Sequence, residues 1–300
     1  MTKLSSFLRP LVAACMFALA APVVTPLHAS GLSFDTVFKG RKQFDALVAQ
    51  ADKWKNLPIG QRVAEIGRAQ AGTHYKSFTL EIDNRIEAPS VNLTGLDCWT
   101  FFETSLAFAR MLDEPKENWT PQTMLKYIEL DRYRDGKCTG SYLSRLHYLE
   151  DWLHDNNRRG MVKDLTRDLG GVPAAHDAVE MTKAWKSYRY MSHNPDLRAG
   201  IAQMEARVAS EPLYYIPKSQ VAGIESHLQS GDIIGICSHD GALIGTSHVG
   251  LAYRTSDGVL HFMHASAPHN YGKVVLDQRL SDYLYHFRSD AGIMVARPLK

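Results

Sequence analysis

The spacing of apolar residues changes near residue 230, and this change limits the folds that the chain can adopt. Before it, apolar residues mostly recur every three or four positions, as on amphipathic helices. After it come short apolar runs joined by turns, which indicate an antiparallel sheet. The predicted strands cover residues 233–237, 248–253, 259–264, 273–276 and 292–296, and a short helix covers residues 280–287. Helices first and strands last predict an α+β fold.

The first part of the chain is predicted to be helical with one exception. A helical pattern over residues 33–68 breaks at Pro58 and Gly60, and it resumes as far as about Gly72. The exception is residues 75–82, where polar and apolar side chains alternate. This alternation predicts a strand.

Residues 115–228 are mostly helical in pattern, with glycine-rich interruptions and many arginine and aromatic residues. Within them, residues 142–156 form one amphipathic helical segment. Two interpretations stay open: helices packed together with a solvated charged face, or a lobe that binds carbohydrate or peptide. In both, the region is an insertion within a single catalytic domain of residues 30–300.

Residues 1–29 have the pattern of a signal peptide. Lys3 and Arg9 accompany an uncharged apolar run over residues 11–21, and a cleavage site follows before Ser30. The run is too short for a membrane anchor and ends at a proline. The sequence therefore predicts an exported protein, periplasmic or secreted, with no stable membrane insertion after cleavage.

The charge balance argues against a nucleic-acid partner. The chain has 34 lysines and arginines and 32 acidic residues, and loss of the signal peptide would remove two of the basic ones. The mature chain is then nearly neutral, whereas a protein that binds phosphates needs a basic surface.

Cys98 begins a predicted helix that is apolar on most of its circumference, and such a helix is usually buried. Asp97 before it is a good N-cap residue. A thiol at the positive end of a buried helix dipole is expected to have a lowered pKa. The alternative is that Cys98 is a small buried hydrophobic residue without a chemical role.

Three cysteines remain after the predicted cleavage, an odd number for an oxidising compartment. A free thiol in an exported protein is a candidate for reactivity. Cys98 is that candidate, and whether Cys138 and Cys237 pair stays open.

Two histidines on neighbouring predicted strands supply the partners that a cysteine nucleophile needs. If Arg254 pairs with Gly258 across a three-residue loop, His248 lies directly opposite His264, with the two side chains in contact. A loop one residue longer would place them on opposite faces. With Cys98 they have the composition of a Cys–His–orienter triad, in which His248 holds the proton as an imidazolium and His264 orients it.

These residues resemble the NlpC-type papain-like cell-wall peptidases. The shared motifs are Asp-Cys at a helix start, Gly-Asp before a strand, His-Val-Gly, and a later His-Ala-Ser. The resemblance implies a papain-like core with the triad Cys98, His248 and His264. The segment Gly-Thr-His-Tyr resembles the family's Gly-Thr-Pro-Tyr, with His74 in place of proline. It implies that Tyr75 is the second donor to the oxyanion.

Residues 97–103 further resemble the N-acetylmuramoyl-L-alanine amidase-like branch, which has Asp-Cys-x-Thr-Phe-x-Glu at this place. Residues 144–148 and 215–217 also resemble that branch. The resemblance implies cleavage of the amide between N-acetylmuramic acid, including anhydro forms, and L-alanine in peptidoglycan fragments. The candidate residues for substrate contact are Trp99, Arg145 and Tyr148.

Other functions remain as alternatives. One is a γ-D-glutamyl-diaminopimelate endopeptidase of the same superfamily, and another is an inactive exported protein that binds muropeptides. A zinc amidase is disfavoured because the sequence lacks His-Glu-x-x-His, and because His261 and His264 would point to opposite faces of one strand. No glycine-rich phosphate loop with a lysine is present. We therefore expect no metal and no cofactor.

Overall fold

An antiparallel sheet at the carboxyl end of the chain is the centre of the fold, as the sequence predicts. The computed structural model describes residues 31–299, so the predicted signal peptide lies outside the described residues. Among these residues the strands are β1 Phe38–Lys39, β2 Val91–Asn92, β3 Val162–Asp164, β4 Val172–Ala174, β5 Leu213–Pro217, β6 Ile233–Asp240, β7 Leu243–Arg254, β8 Leu260–Ala265, β9 Val274–Arg279 and β10 Asp290–Pro298. The main sheet has the order β4-β5-β10-β6-β7-β8-β9, and β3 pairs with β10.

The helices of the described residues lie mainly before this sheet in the sequence. They are α1 Phe34–Val37, α2 Arg41–Val48, α3 Ile59–Ala69, α4 Cys98–Met111, α5 Pro121–Arg132, α6 Leu149–Arg158, α7 Glu180–Lys183, α8 Arg189–His193, α9 Leu197–Ser210, α10 Lys218–Ile224 and α11 Leu280–His286. The α+β prediction is confirmed. Residues 115–228 are mostly helical, and their three strands extend the main sheet.

Helix α4 is buried along its whole length from Thr100 to Met111. Its apolar side chains pack on the face of the sheet that carries Val249 and Leu251 of β7. Two charged side chains of α4 are also buried, and each pairs with a charged residue of α5. Glu103 accepts from Arg132 at 2.8 Å, and Arg110 forms an ion pair with Asp131. Because removing one partner of a buried pair is costly, these pairs hold α4 in one position.

The opposite face of the sheet is covered by α10 and α11. Their apolar side chains form a second core with residues of β6, β8 and β10, among them Ile234, Phe262 and Ile293. A third, smaller core lies among α7, α8 and α9 and includes Tyr142 and Tyr190. The sheet therefore separates two packed layers, and the helices α7–α9 form a distinct unit beside them.

Residues 75–82 do not form a strand, which corrects the prediction from their alternation. Tyr75 makes only an isolated bridge with Leu96. Phe78 has a φ of +58°, in the left-handed region, and residues 77–80 form turns. An extended strand cannot continue through a left-handed residue. Most of this segment instead lines a cavity, through Tyr75, Ser77, Phe78, Leu80 and Glu81.

The predicted single helix over residues 142–156 is also wrong. A short 3₁₀ turn at Tyr142–Ser144 is followed by an extended Arg145, and α6 begins only at Leu149. Arg145 leaves the helix because its guanidinium pairs with a buried carboxylate, Glu87, at 2.6 Å. The pairing of a buried charge outweighs the helical pattern of the segment.

The loop between β7 and β8 is two residues longer than predicted. Arg254 pairs with Leu260 instead of Gly258. A shift of two residues leaves every side chain on its original face, whereas a shift of one would not. Continued along β7, the register places His264 opposite Gly250. A Cβ on Gly250 would lie 2.5 Å from the carbonyl oxygen of Met263, so glycine is needed for this close approach of β8.

Candidate active site

The start of α4 is fixed by a capping box that Asp97 forms with Thr100. An Asp97 carboxylate oxygen accepts from the backbone N–H and the hydroxyl of Thr100, both at 2.8 Å. In return, the Thr100 oxygen lies 3.0 Å from the backbone nitrogen of Asp97, which donates to it. Each contact satisfies a group that a helix end would leave unpaired. The first helical residue, Cys98, is thus held in one place.

The Cys98 sulfur lies against strand β7. It is within hydrogen-bond reach of the backbone N–H of Val249, the residue after His248, and of the backbone N–H of Trp99. Tyr283 of α11 packs against His264, and their ring centroids are 5.3 Å apart. The structure therefore brings the predicted nucleophile beside the strand that carries the first predicted histidine.

His248, His264 and Asp277 form a hydrogen-bonded chain. Nε2 of His248 is 2.7 Å from Nδ1 of His264, and Nε2 of His264 is 3.1 Å from Oδ2 of Asp277. The two imidazole rings are perpendicular, with centroids 4.8 Å apart. The two histidines are thus in contact although they are diagonal neighbours and not directly opposed.

The hydrogen-bond partners determine which ring nitrogens carry protons. An ionised carboxylate only accepts, so Nε2 of His264 donates to Asp277. In the tautomer that carries its proton on Nε2, His264 accepts at Nδ1 from Nε2 of His248. Nδ1 of His248 keeps its lone pair, so this nitrogen can take a proton from a nucleophile.

The expected low pKa of the thiol is wrong. Burial raises the pKa of Cys98 to about 12, with a further contribution from the Asp97 carboxylate, against the smaller opposing effect of the backbone N–H groups around the sulfur. Burial and the neighbouring His264 lower the pKa of His248 to about 3. At neutral pH the resting state is therefore a neutral thiol and a neutral imidazole, not the thiolate–imidazolium pair that the helix dipole suggested.

A cavity of about 370 Å³ opens in front of Cys98. Three other predicted site residues line it, namely Tyr75, Trp99 and Arg145. Further lining residues that the sequence did not single out are Phe78, Glu81, Tyr142, His147, Met181 and Tyr188. His248 and His264 are not among the lining residues. Substrate in this cavity would therefore contact Cys98, whereas the two histidines lie on strands β7 and β8, outside the cavity lining.

The chain is similar to known proteins in both sequence and fold. The sequence model of the N-acetylmuramoyl-L-alanine amidase-like family matches residues 65–293. The chain belongs to this family. The resemblance found in the sequence is thereby confirmed. Among curated proteins, none matches the chain.

Solved structures of the same architecture include one named an N-acetylmuramoyl-L-alanine amidase from Bacteroides uniformis. It is 28% identical, with a TM-score of 0.72, and the match covers 81% of this chain and 99% of that one. A second, from Bacteroides fragilis, has a name that proposes a xylanase; it is 31% identical over 78% of this chain and 99% of that one, with a TM-score of 0.69. A protein from Legionella pneumophila shares the fold at 21% identity, with a TM-score of 0.64, over 86% of this chain and 95% of that one.

Tyr75 lines the same cavity as Cys98. Its backbone N–H donates to the Gly272 carbonyl at 2.8 Å, which fixes the segment. Burial, together with the nearby Cys98 and Asp97, raises the pKa of the Tyr75 hydroxyl to about 12. The phenol therefore keeps its proton at neutral pH and is able to donate it in a hydrogen bond.

The three residues predicted to contact substrate have different positions. Trp99 lines the cavity and packs edge-on against Phe102, with ring centroids 5.6 Å apart. Arg145 also lines it, but both sides of its guanidinium fork are bound by Glu87, at 3.1 and 2.6 Å. Tyr148 is not among the lining residues, and its hydroxyl donates to Glu205 at 2.6 Å.

Asp277 is the site residue that the sequence analysis missed. The predicted strand stopped at residue 276, one position short of it, whereas β9 continues to Arg279. His264 pairs with Val275 in β9, so Asp277 is its diagonal neighbour on the same face. A strand prediction one residue longer would have brought the carboxylate to the histidine.

The described residues contain three cysteines. Cys98, Cys138 and Cys237 are all free thiols there, so Cys138 and Cys237 do not pair. In residues 31–299 no group of three or more histidine, cysteine and acidic side chains is arranged to hold a metal ion. No helix within the same range is long and apolar enough to cross a membrane.

Proposed function

We propose that this protein is an exported cysteine amidase with a papain-like active site. It hydrolyses the amide between N-acetylmuramic acid, including its anhydro form, and L-alanine in peptidoglycan fragments. The observation that carries the proposal is the cysteine at the capped start of α4 beside the hydrogen-bonded chain of His248, His264 and Asp277. Membership of the amidase-like family supports the choice of bond.

In the first step His248 acts as the base. Its Nδ1 removes the thiol proton of Cys98 as the sulfur attacks the lactyl carbonyl carbon of the substrate. The carbonyl oxygen becomes an oxyanion. The backbone N–H groups at the start of α4 and the Tyr75 hydroxyl stabilise it, because they are already oriented before the charge develops.

In the second step the tetrahedral intermediate collapses. The C–N bond breaks, and His248 returns its proton to the alanyl nitrogen, so that the stem peptide leaves as a free amine and the muramoyl group stays on Cys98 as a thioester. Water then attacks the thioester with His248 again acting as base. The products are the free muramic acid carboxylate and the regenerated thiol.

The chain behind His248 explains how a partly buried imidazole accepts a proton. The positive charge that His248 gains is shared through His264 with Asp277, whose carboxylate stays ionised. Burial alone would raise the pKa of Asp277, but its hydrogen bonds to His264 and to the backbone N–H of Gln278 lower it. His264 and Asp277 are thus positioning residues, since they act on substrate only through His248.

The xylanase name of one structural relative is a rival that the cavity does not favour. Glycosidases need two carboxyl groups free to act on the bond to be cut. Asp97 uses its carboxylate in the capping box, and Glu81 accepts from the Tyr142 hydroxyl at 2.7 Å and from the Tyr190 backbone N–H at 3.2 Å. Of the residues that line the cavity, both acidic ones are therefore engaged.

Mass spectrometry of a muropeptide digest tests the proposal. We expect free saccharide and the whole stem peptide as products. A γ-D-glutamyl endopeptidase would instead leave a dipeptide on the sugar, and an inactive binding protein would leave the substrate intact. Cys98→Ala should abolish release of the stem peptide while the far-UV spectrum is unchanged, and the matched control Cys138→Ala should keep full activity.

Export is a second part of the proposal. Expressed from the full gene in a Gram-negative host, the protein should be recovered from the periplasm or the medium. Its mature mass should correspond to a chain that begins near Ser30. A cytoplasmic, unprocessed protein would contradict this part and leave the proposed chemistry untouched.

A further inference from the structure

We infer that Phe78 is the platform on which the sugar ring of the substrate stacks, beside Cys98. The inference deepens the proposed function and rests on it, because it names the residue that recognises the saccharide side of the scissile amide. Phe78 and Cys98 line the same cavity.

Phe78 is held in an unfavourable position in two respects. Its side chain is 66% exposed, although burial of a phenylalanine ring would be favourable. Its backbone has a φ of +58°, which costs conformational energy for a residue with a Cβ. In residues 31–299 only one other non-glycine residue, Asp135, has a positive φ, and it is in a turn away from the cavity lining. Strain of this kind concentrates at functional sites.

Tyr142, another aromatic side chain of the cavity, already has partners on its ring. Tyr142 stacks on Tyr190 with centroids 4.4 Å apart, and the Arg145 guanidinium lies 4.7 Å from the Tyr142 ring centroid. Among the described residues no aromatic or cationic group stacks on Phe78. Its ring is thus available to a ligand.

A hexose has faces of C–H groups that carry slight positive charge, and an aromatic ring has a negative face. Stacking between them suits a sugar and not a peptide backbone. Phe78 is three residues from Tyr75, whose hydroxyl is proposed to bind the oxyanion. A muramoyl substrate carries its sugar on the acyl side of the scissile bond, close to this oxygen. Tyr75, Phe78 and Cys98 line one cavity, so a platform at Phe78 lies within the space that receives this part of the substrate.

The test compares two substrates that share the scissile bond. One is anhydro-N-acetylmuramoyl-L-alanyl-peptide, and the other is the D-lactoyl-L-alanyl peptide, which keeps the amide but has no sugar. Phe78→Ala should lower kcat/KM about fivefold to twentyfold for the first and leave that for the second unchanged. Phe78→Tyr should stay within about twofold of the wild type on both. The matched control is Tyr285→Ala, another exposed aromatic residue, which does not line the cavity and should change neither.

A binding measurement separates this inference from the proposed function. In a Cys98→Ala background, where no turnover occurs, calorimetric titration with the anhydromuramoyl peptide should give a Kd about fivefold to twentyfold weaker when Phe78 is also replaced by alanine. Equal affinities, or an equal loss of kcat/KM on both substrates, would overturn the platform. If the wild type turned over neither substrate, the proposed function would be overturned instead, and the titration would still test the role of Phe78.

Discussion

Asp277→Asn isolates the charge at the end of the histidine chain from the hydrogen bond that it makes. Asparagine has nearly the same shape, and its oxygen can still accept from Nε2 of His264. The variant loses only the negative charge that stabilises a protonated His248. A hydrogen bond to a charged group contributes about 1.5–3 kcal/mol and one between neutral groups about 0.5–1.5 kcal/mol, so loss of the charge alone costs about 1–1.5 kcal/mol. Since about 1.4 kcal/mol corresponds to a factor of ten, kcat should fall about 5- to 13-fold. KM should change little, because Asp277 does not line the cavity.

The pH dependence of Asp277→Asn has a definite sign. The base must be neutral to act, so activity falls when the pH drops through the pKa of His248, which is about 3 in the wild type. Removing the anion disfavours the cation further, so the acid limb should move to lower pH while the plateau falls. In the wild type the lowered pKa of Asp277 stabilises the fold above the carboxyl's ordinary pKa, and that contribution is lost as the pH falls through the folded pKa. The variant should lose this acid-dependent part of its stability.

The assay is steady-state release of stem peptide between about pH 2 and 9, which includes the acid limb, with thermal melts at each pH. The control is Asp282→Asn, an exposed carboxyl at the start of α11, which should match the wild type in kcat and pH profile. Full activity of Asp277→Asn across the range would refute the role of the chain behind His248. A rise in KM with kcat unchanged would refute it too, because it would place Asp277 in substrate binding.

Three further predictions follow from the described geometry. The rate at which iodoacetamide alkylates Cys98, measured by peptide mass spectrometry, should rise about tenfold for each pH unit up to at least pH 9, because burial raises the pKa of this thiol to about 12. A rate that reaches a plateau near pH 6 would instead indicate a preformed thiolate. Thr100→Val removes the two hydrogen bonds that the Thr100 hydroxyl makes with Asp97 and should lower the free energy of unfolding by about 1–2 kcal/mol in urea titrations. An unchanged urea midpoint would show that this half of the capping box does not contribute to stability. EDTA should leave turnover intact, whereas inhibition reversed by added zinc would favour a metal amidase.

The sequence predicted an antiparallel sheet and its five C-terminal strands because these strands are short, apolar and separated by turns. Their bounds were mostly too short at the ends, and Asp277 was missed for this reason. The loop after Arg254 was predicted two residues too short. The two histidines still came together, since an even shift preserves the face on which each side chain lies.

Other features could not be predicted because they depend on contacts between distant parts of the chain. Polar and apolar side chains alternate in residues 75–82 as they do in a strand, but the left-handed backbone at Phe78 breaks the extended conformation. Arg145 lies in a helical pattern, yet its bond to Glu87, 58 positions away, takes it out of the helix. The pKa of Cys98 depends on how deeply α4 is buried, and this burial outweighs the helix dipole that local sequence suggests.

The central claim is that Cys98 forms a thioester with the muramoyl group of the substrate. Acid quenching during turnover, followed by mass analysis of the Cys98 peptide, tests it most directly. We predict an adduct whose mass equals the muramoyl acyl group without the stem peptide, absent in Cys98→Ala. An adduct that contains a γ-D-glutamyl acyl group, or continued turnover in Cys98→Ala with no adduct, would contradict the claim.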